Sequence, residues 1–139
     1  MKIFVTGGSG FIGSSLVKKW LDDGDEIVIF DNETRGQSRR LNSIKNLNYI
    51  VGDIRDIELL RKSMIGCDTI CHLAYINGTK FFYEKPDLVL EIALKGIINT
   101  TETAVDLGLK NYWLMSSGEV YQSPKAVSYT HLRAHETQR

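Results

Sequence analysis

Apolar residues along the chain alternate between short strand-like runs and longer stretches with helical spacing. Short runs rich in β-branched and aromatic side chains predict strands, whereas apolar residues recurring at helical intervals predict helices. Five strands are predicted in this way, at residues 2–6, 26–30, 48–51, 68–73 and 111–115. Three helices are predicted between them, at residues 11–23, 54–65 and 87–107, with glycine as the stop signal after each.

The predicted strands are apolar throughout rather than at alternate positions, which is typical of strands covered on both faces. Regular alternation of strands and helices indicates right-handed crossovers between parallel strands. The chain is therefore predicted to be an α/β protein with a doubly wound parallel sheet of five strands and helices on both faces. Apolar periodicity stops near Ser128, so residues 1–127 are interpreted as the folded unit and 128–139 as a non-native or disordered tail.

Composition argues against several classes of function. The chain has 17 Lys plus Arg and 17 Asp plus Glu, so no basic surface is expected to attract nucleic acid or acidic lipid. The apolar runs are far shorter than the roughly 20 residues that a membrane span needs.

Cys67 and Cys71 lack C-x-x-C spacing and are expected to be unpaired thiols in a reducing, cytoplasmic compartment. His131 and His135 lack the H-E-x-x-H arrangement, so no metal site is predicted.

A glycine-rich segment, TGGSGFIG, joins the first predicted strand to the first helix. In that context Gly7 would permit the tight turn, Gly10 would let the backbone approach a pyrophosphate, and Gly13 would let the helix pack close to the sheet. The first-turn N–H groups and the positive end of the helix would face the phosphates. An ordinary glycine-rich turn is the alternative. The residues assigned to this phosphate site are Gly7, Gly10, Phe11, Ile12 and Gly13.

An acidic residue, Asp31, follows the second strand. A carboxylate there can accept hydrogen bonds from both ribose hydroxyls of an adenosine, and it would repel a 2′-phosphate, which favours NAD over NADP as cofactor. The alternative is an Asp that caps a turn before Asn32. Downstream, Arg35, Arg39 and Arg40 could soften the cofactor preference or could simply be solvated.

The TGxxGxxG spacing resembles that of short-chain dehydrogenases, and four further motifs resemble the extended branch of that family, the NAD-dependent nucleotide-sugar epimerases and dehydratases. The resemblance spans residues 1–127 and implies a Rossmann-type NAD-binding domain. The four motifs are Asp31-Asn32, Gly52-Asp53-Ile54-Arg55-Asp56, His72-Leu73-Ala74 and Met115-Ser116-Ser117-Gly118-Glu119-Val120-Tyr121, which follow the second, third, fourth and fifth strands.

The resemblance implies roles around the cofactor, with Asn32 counted among the binding residues. The Asp53 side chain would bind the adenine amino group, with helix capping as the alternative, and the Ile54 backbone would bind the ring. Leu73 and Ala74 would pass beneath the ribose and nicotinamide. The histidine before them, His72, is interpreted as a structural strand-end residue rather than a base.

The resemblance also implies a catalytic residue. Ser117 aligns with the family's hydroxyl that hydrogen-bonds the sugar oxygen gaining or losing a proton during hydride transfer. A strand-terminating serine is the alternative, and it is the preferred interpretation of Ser116. Tyr121 matches a tyrosine that is structural or cofactor-side in the family rather than the proton donor.

Three features depart from the family pattern. Ala93 stands where the family carries Asn in the long helix, with Asn99 one turn further on. The Tyr-x-x-x-Lys pair is missing at the family's distance after Ser117, because Tyr129 comes too soon and Arg133 is not an equivalent proton-relay group. The chain also stops before the family's last strands and its sugar-binding region.

The leading interpretation is the front part of an NAD-dependent epimerase or dehydratase that acts on a nucleotide sugar by transient hydride transfer. The parent enzyme is expected to be a homodimer, and this chain alone is expected to be inactive. Two alternatives stay open: a dinucleotide sensor or scaffold without catalysis, and a reductase of the same family acting on a non-sugar carbonyl. Residues 127–137 resemble translated sequencing-adapter sequence, so the tail is predicted to be foreign.

Overall fold

A computed structural model describes residues 1–76 and 78–117. Within these residues the strands are β1 Lys2–Thr6, β2 Glu26–Asp31, β3 Asn48–Val51, β4 Thr69–His72 and β5 Asn111–Leu114. The helices are α1 Phe11–Asp22, α2 Ile57–Met64, α3 Thr79–Glu84 and α4 Pro86–Asp106, with a 3-10 turn at Ser38–Leu41.

The strands form one parallel sheet in the order β3-β2-β1-β4-β5. The chain winds outward from β1 to β3 and then returns to the other side of β1 for β4 and β5. At the carboxyl end of β1, Thr6 lies between Phe30 of β2 and His72 of β4. The predicted Rossmann-type, doubly wound sheet is thereby confirmed, and its switch in winding direction lies next to β1.

Side chains of the central strands pack into two apolar cores, one on each face of the sheet. Phe4 and Phe30 belong to the core that contains residues of α2 and α4. Ile3, Val5 and Ile29 belong to the core that contains Val17 of α1. Because successive strand residues point to opposite faces, both sets are buried, which explains why the strands read as continuously apolar.

The start of α2 differs from the prediction. The helix begins at Ile57 rather than at residue 54, because Asp56 caps it and accepts a hydrogen bond from Leu59 N at 3.0 Å. The preceding residues form a turn closed by a bond from Asp56 N to Asp53 O at 2.9 Å. The idea that Asp53 caps this helix is therefore wrong.

Two short elements were not predicted, α3 and the 3-10 turn. Helix α3 has no buried residue, so no apolar stripe marks it in the sequence. The stop signal after α1 behaves as predicted: Gly24 has a φ of +88° and lies directly after the helix's last turn.

Strand β5 forms one edge of the sheet in the described part of the chain. Its Trp113 contacts Trp20 of α1 with ring centroids 5.8 Å apart, and Leu114 is 46% exposed. The sheet therefore reaches its fifth strand, as predicted. The boundary at residue 127 and the tail 128–139 lie outside the described residues.

Candidate functional site

A cleft opens at the carboxyl ends of β1, β2, β3 and β4, beside the switch in winding direction. Open α/β sheets bind ligands at this location because the loops of adjacent strands diverge there. The cleft is lined by Gly7, Gly10, Phe30, Asp31, Asn32, Thr34, Arg35, Gly36, Gly52, Asp53, Ile54, Leu73, Ala74, Tyr75, Ile76 and Ile92. Eight of the residues assigned to the cofactor lie in this set: Gly7, Gly10, Asp31, Asn32, Asp53, Ile54, Leu73 and Ala74.

The glycine-rich loop packs tightly against the segment that follows β4. Gly7 has a φ of +71°, and a Cβ atom on it would lie 2.8 Å from Ala74 N. Its N–H donates to Phe30 O at 2.9 Å. Only glycine suits this position, because the left-handed backbone disfavours a side chain and the neighbouring backbone of Leu73 and Ala74 leaves no room for one.

Gly13 occupies the first turn of α1, but its close neighbour is the loop rather than the sheet. A Cβ atom there would lie 2.3 Å from Gly7 O and 2.7 Å from Gly8 Cα. The role predicted for Gly13 is thus refined: it lets the start of α1 approach the loop. Gly10 caps α1 without a side chain, and a Cβ atom on it would meet only Gly7 O, at 3.1 Å.

Phe11 and Ile12 turn their side chains away from the cleft. Phe11 is 82% exposed and Ile12 58% exposed. Neither residue lines the cleft, so any contact with a ligand would come from the backbone N–H groups of the first helical turn, which have no intrahelical acceptor. Their assignment to the phosphate site stays a prediction.

The carboxylate of Asp31 is buried beneath the loop that follows β2. Its Oδ2 accepts bonds from Ser9 N at 3.1 Å and Ser9 Oγ at 2.7 Å, and its Oδ1 accepts one from Glu33 N at 2.8 Å. A Cβ atom on Gly36 would lie 2.7 Å from Oδ1. Asp31 therefore orders its own turn, as the alternative interpretation held, and still lines the cleft.

Ser9 and Gly36 were not predicted as site residues, although both lie against Asp31. Gln37 N and Arg40 Nη1 donate to Ser9 O at 3.1 and 3.0 Å, which fastens the loop after β2 onto the glycine-rich loop. Arg39 donates to Gln37, also within that loop. A serine between two glycines was a local signal for such contacts, but its partners lie more than twenty residues away.

Of the three arginines considered, Arg35 lines the cleft. It is the only cationic side chain among the described residues that do so. A Cβ atom on Gly78 would lie 3.6 Å from Arg35 Nη1, so the guanidinium reaches from the β2 loop toward the segment after β4.

Asp53 is fixed by a network of donors. Its Oδ1 accepts from Arg55 N and Arg55 Nε at 2.9 Å each, and its Oδ2 accepts from Arg55 Nη2 at 2.8 Å and Asn32 Nδ2 at 3.2 Å. The Arg55 guanidinium lowers the pKa of Asp53 to about 2. The carboxylate is consequently ionised at any physiological pH.

The segment after β3 is also tied to α4. Asn99 Nδ2 donates to Ile54 O at 3.0 Å, and a Cβ atom on Gly96 would lie 2.4 Å from Ile54 Cδ1. Asn99 thus holds the segment that lines the cleft, which is a different task from that of the Asn replaced by Ala93.

His72 lies at the end of β4 as a buried structural residue. Thr6 Oγ1 lies 2.7 Å from His72 Nδ1 and accepts from Leu73 N and Ala74 N at 3.2 Å each. Because Thr6 accepts those two bonds, its hydroxyl proton points to Nδ1, which places the ring proton on Nε2. Burial lowers the pKa of His72 to about 4, so the ring is neutral.

Ser117 is the last described residue and is exposed. It does not line the cleft, so its catalytic assignment stays a prediction. Tyr121, Tyr129 and Arg133 lie outside the described residues. Residues 1–76 and 78–117 contain no group of three side chains suited to a metal ion. None of the helices described in this range is long and apolar enough to cross a membrane.

The sequence matches the model of the NAD dependent epimerase/dehydratase family over residues 3–137. It is 32% identical over 136 residues to UDP-glucose 4-epimerase of Neisseria meningitidis serogroup B, covering 93% of this chain and 40% of that protein. A UDP-glucose 4-epimerase sequence from Klebsiella pneumoniae is 31% identical, with 93% of this chain and 98% of that sequence covered.

Solved structures show the same likeness. The dTDP-glucose 4,6-dehydratase of Streptomyces venezuelae with NAD bound superposes with a TM-score of 0.84 and 31% identity, covering 93% of this chain and 43% of that one. The Thermus thermophilus UDP-glucose 4-epimerase in complex with NAD gives a TM-score of 0.82 and 28% identity, covering 94% and 43%. The chain spans about two fifths of the length of the first curated relatives it matches.

Proposed function

Because the chain belongs to the NAD-dependent epimerase/dehydratase family, we propose that it is the NAD-binding part of an enzyme that epimerises or dehydrates a nucleotide sugar by transient hydride transfer. The observation that carries this proposal is the shared cleft of Gly7, Gly10 and Asp31 at the switch point of the sheet. The family is NAD-dependent, and structural neighbours hold NAD.

The cleft suits a dinucleotide on its own geometry. A Cβ atom on Gly10 would meet one loop oxygen and nothing else within 4 Å, so this glycine leaves open space in front of the first turn of α1. A diphosphate there would face the N–H groups of Phe11 and Ile12 and the positive end of the helix. Asp31 lines the cleft beside that space, and the fully buried Ser9 holds its carboxylate from behind.

We assign each half of the cofactor to one end of the cleft. The Asp31 carboxylate would accept bonds from the ribose hydroxyls, and Asn32, Asp53 and Ile54 would border the adenine. NAD, when bound, supplies the acceptance and return of hydride. At the other end, the ribose and nicotinamide would pass over Leu73 and Ala74, and Ser117 would hydrogen-bond the reacting sugar oxygen. These last residues follow β4 and β5, which are adjacent strands.

We propose a nucleotide sugar as the substrate of the complete protein, in keeping with relatives named UDP-glucose 4-epimerase. The chain alone is expected to be inactive, since its sequence has no Tyr-x-x-x-Lys pair at the family's distance after Ser117 to relay the proton; Tyr121 and Lys125 have the spacing but follow Ser117 too closely. Turnover of UDP-glucose by the purified 139-residue chain would contradict this part of the proposal.

We also propose that the complete protein is a homodimer joined through α4. Leu90, Leu94, Ile97 and Ile98 are 59%, 60%, 40% and 51% exposed and lie on one face of that helix. An apolar stripe of this kind suits packing against the same helix of a second copy. Light scattering on the full-length protein should give a dimer mass that Leu94→Glu lowers to a monomer; a monomeric wild type would reject the dimer.

A reducing, cytoplasmic location fits the cysteines. Cys67 and Cys71 are both unpaired and buried, and burial raises the pKa of each thiol, which keeps them protonated. Cell fractionation tests this location directly: the protein should appear in the same fraction as a cytoplasmic marker protein.

The decisive experiment is calorimetric titration of the chain with NAD and with NADP. We expect NAD to bind at least about tenfold more tightly, because Asp31 would face the 2′-phosphate of NADP. Asp31→Asn should remove the preference. Asp23→Asn is the matched control, because Asp23 pairs with Lys19 at the far end of α1. NADP preference in the wild type, or binding of neither dinucleotide, would refute the proposal.

A further inference from the structure

Arg55 donates hydrogen bonds to the Asp53 carboxylate from three separate N–H groups. The backbone N and Nε donate to Oδ1, and Nη2 donates to Oδ2, over distances of 2.8 to 2.9 Å. A planar guanidinium bound in this forked way fixes the carboxylate's plane as well as its position. Both oxygens of Asp53 therefore have a defined direction at the edge of the cleft.

The same guanidinium is anchored from the opposite side by α4. Arg55 Nη1 donates to Glu91 Oε2 at 3.1 Å, and Glu91 is held in turn by Lys95 Nζ at 2.8 Å. The bond from the Asn99 side-chain amide to the Ile54 carbonyl oxygen lies two turns beyond Glu91 along the helix. Helix α4 thus restrains both the charged and the backbone part of the segment after β3.

One acceptor position on Asp53 is held less firmly than the others. Oδ1 takes two bonds from Arg55, whereas Oδ2 takes one from Arg55 and one from the Asn32 amide at 3.2 Å, the longest of the four. Asn32 is exposed, and both Asn32 and Asp53 line the cleft. An amino group on a bound base could replace the Asn32 amide at Oδ2 without disturbing Arg55.

We propose that Arg55 is a positioning residue for base recognition: it holds Asp53 so that Oδ2 accepts a hydrogen bond from the 6-amino group of adenine. This inference rests on the proposed binding of NAD in the cleft. Its consequence is selectivity for a 6-aminopurine over a 6-oxopurine, since a 6-oxo group would set an acceptor against the carboxylate.

The test compares NAD with nicotinamide hypoxanthine dinucleotide, which differs only in the purine, by calorimetric titration of the full chain. We expect wild type to favour NAD about tenfold, the effect of one hydrogen bond to a charged group. Arg55→Gln should bring the ratio of the two dissociation constants close to one. Arg55→Lys keeps the charge without the fork and should give an intermediate ratio.

Two further variants make the result specific. Arg61→Gln is the matched control. Like Arg55, Arg61 forms an ion pair with a carboxylate of α4, in this case Asp106, but it does not line the cleft. This variant should leave the ratio unchanged. Glu91→Gln removes the second anchor and should lower the ratio less than Arg55→Gln does. It provides a second reading if Arg55→Gln is poorly folded.

The ratio separates positioning from a merely structural role, because both dinucleotides bind the same folded molecules and any loss of folded protein cancels. An unchanged tenfold preference in Arg55→Gln would overturn the inference while leaving the proposed function intact. Wild type that binds neither dinucleotide would refute the proposed function instead. Equal binding of both by wild type would refute base selectivity alone.

Discussion

Thr6 Oγ1 lies 2.7 Å from His72 Nδ1 and joins the carboxyl ends of β1 and β4 directly below the cleft. Both residues are buried, and the same hydroxyl accepts bonds from Leu73 N and Ala74 N. A single oxygen thereby joins the end of β1 to the segment of Leu73 and Ala74, which is expected to pass beneath the nicotinamide half of the cofactor. The contact places His72 in the structural frame of the site.

Replacing Thr6 with Val should destabilise the fold by about 2–3 kcal/mol, because a buried ring nitrogen and the Ala74 N–H would lose their partner. The measurement is urea unfolding followed by circular dichroism. Thr101→Val is the control, since Thr101 is an exposed threonine of α4 and its loss should have little effect. Equal stability of Thr6→Val and wild type would show that the hydrogen bond is dispensable.

The stability of the protein should fall as the pH is lowered below about 6.5. His72 has a pKa of about 4 in the fold, below its ordinary value of 6.5, because it is buried. Between those values the unfolded chain binds a proton that the folded chain does not, so acid favours unfolding, and the effect levels off below about 4. From pH 7 to pH 5 the loss should be about 2 kcal/mol.

The matched variant for this pH dependence is His72→Gln, which retains a hydrogen-bonding side chain but does not titrate. Urea unfolding of both proteins at several pH values isolates the contribution of the histidine. If the variant shows the same slope as wild type, then His72 is not the titrating group.

Gly13→Ala should remove NAD binding and destabilise the fold by about 1–3 kcal/mol through overpacking. The added methyl group would be forced against Gly7 O and Gly8 Cα, neither of which is a flexible side-chain end. Calorimetry and urea unfolding measure the two effects. Ser15→Ala, on the exposed side of the same helical turn, is the control and should behave like wild type.

Gly36→Ala tests the loop that covers Asp31. A Cβ atom there would lie 2.0 Å from Ser9 Oγ and 2.7 Å from Asp31 Oδ1, so the loop must move off the carboxylate. We expect NAD binding to weaken about tenfold or more, the cost of misplacing one charged hydrogen-bonding group. The neighbouring exposed variant Gln37→Ala should bind NAD as wild type does. Full affinity in Gly36→Ala would separate the loop from the cofactor site.

Much of the fold was predictable because it depends on local pattern. The five strands, the long helix and the break at the glycine-rich loop all follow from side-chain periodicity and from residues that end elements. Helix α2 shows where that method fails. Asp53 and Asp56 are equally good caps by residue type, but in the structure Asp56 caps the helix, while the carboxylate of Asp53 accepts bonds from Arg55.

The sequence by itself determined which segments form the sheet and which residues reach its carboxyl edge, since a periodicity of two or 3.6 is written into neighbouring positions. Only the tertiary structure decided how those residues are held. Ser9 on Asp31, Asn99 on Ile54 and Glu91 on Arg55 are contacts across 22, 45 and 36 positions. Such partners are chosen by the crossing of strands and helices in space, and no local pattern along the chain specifies them.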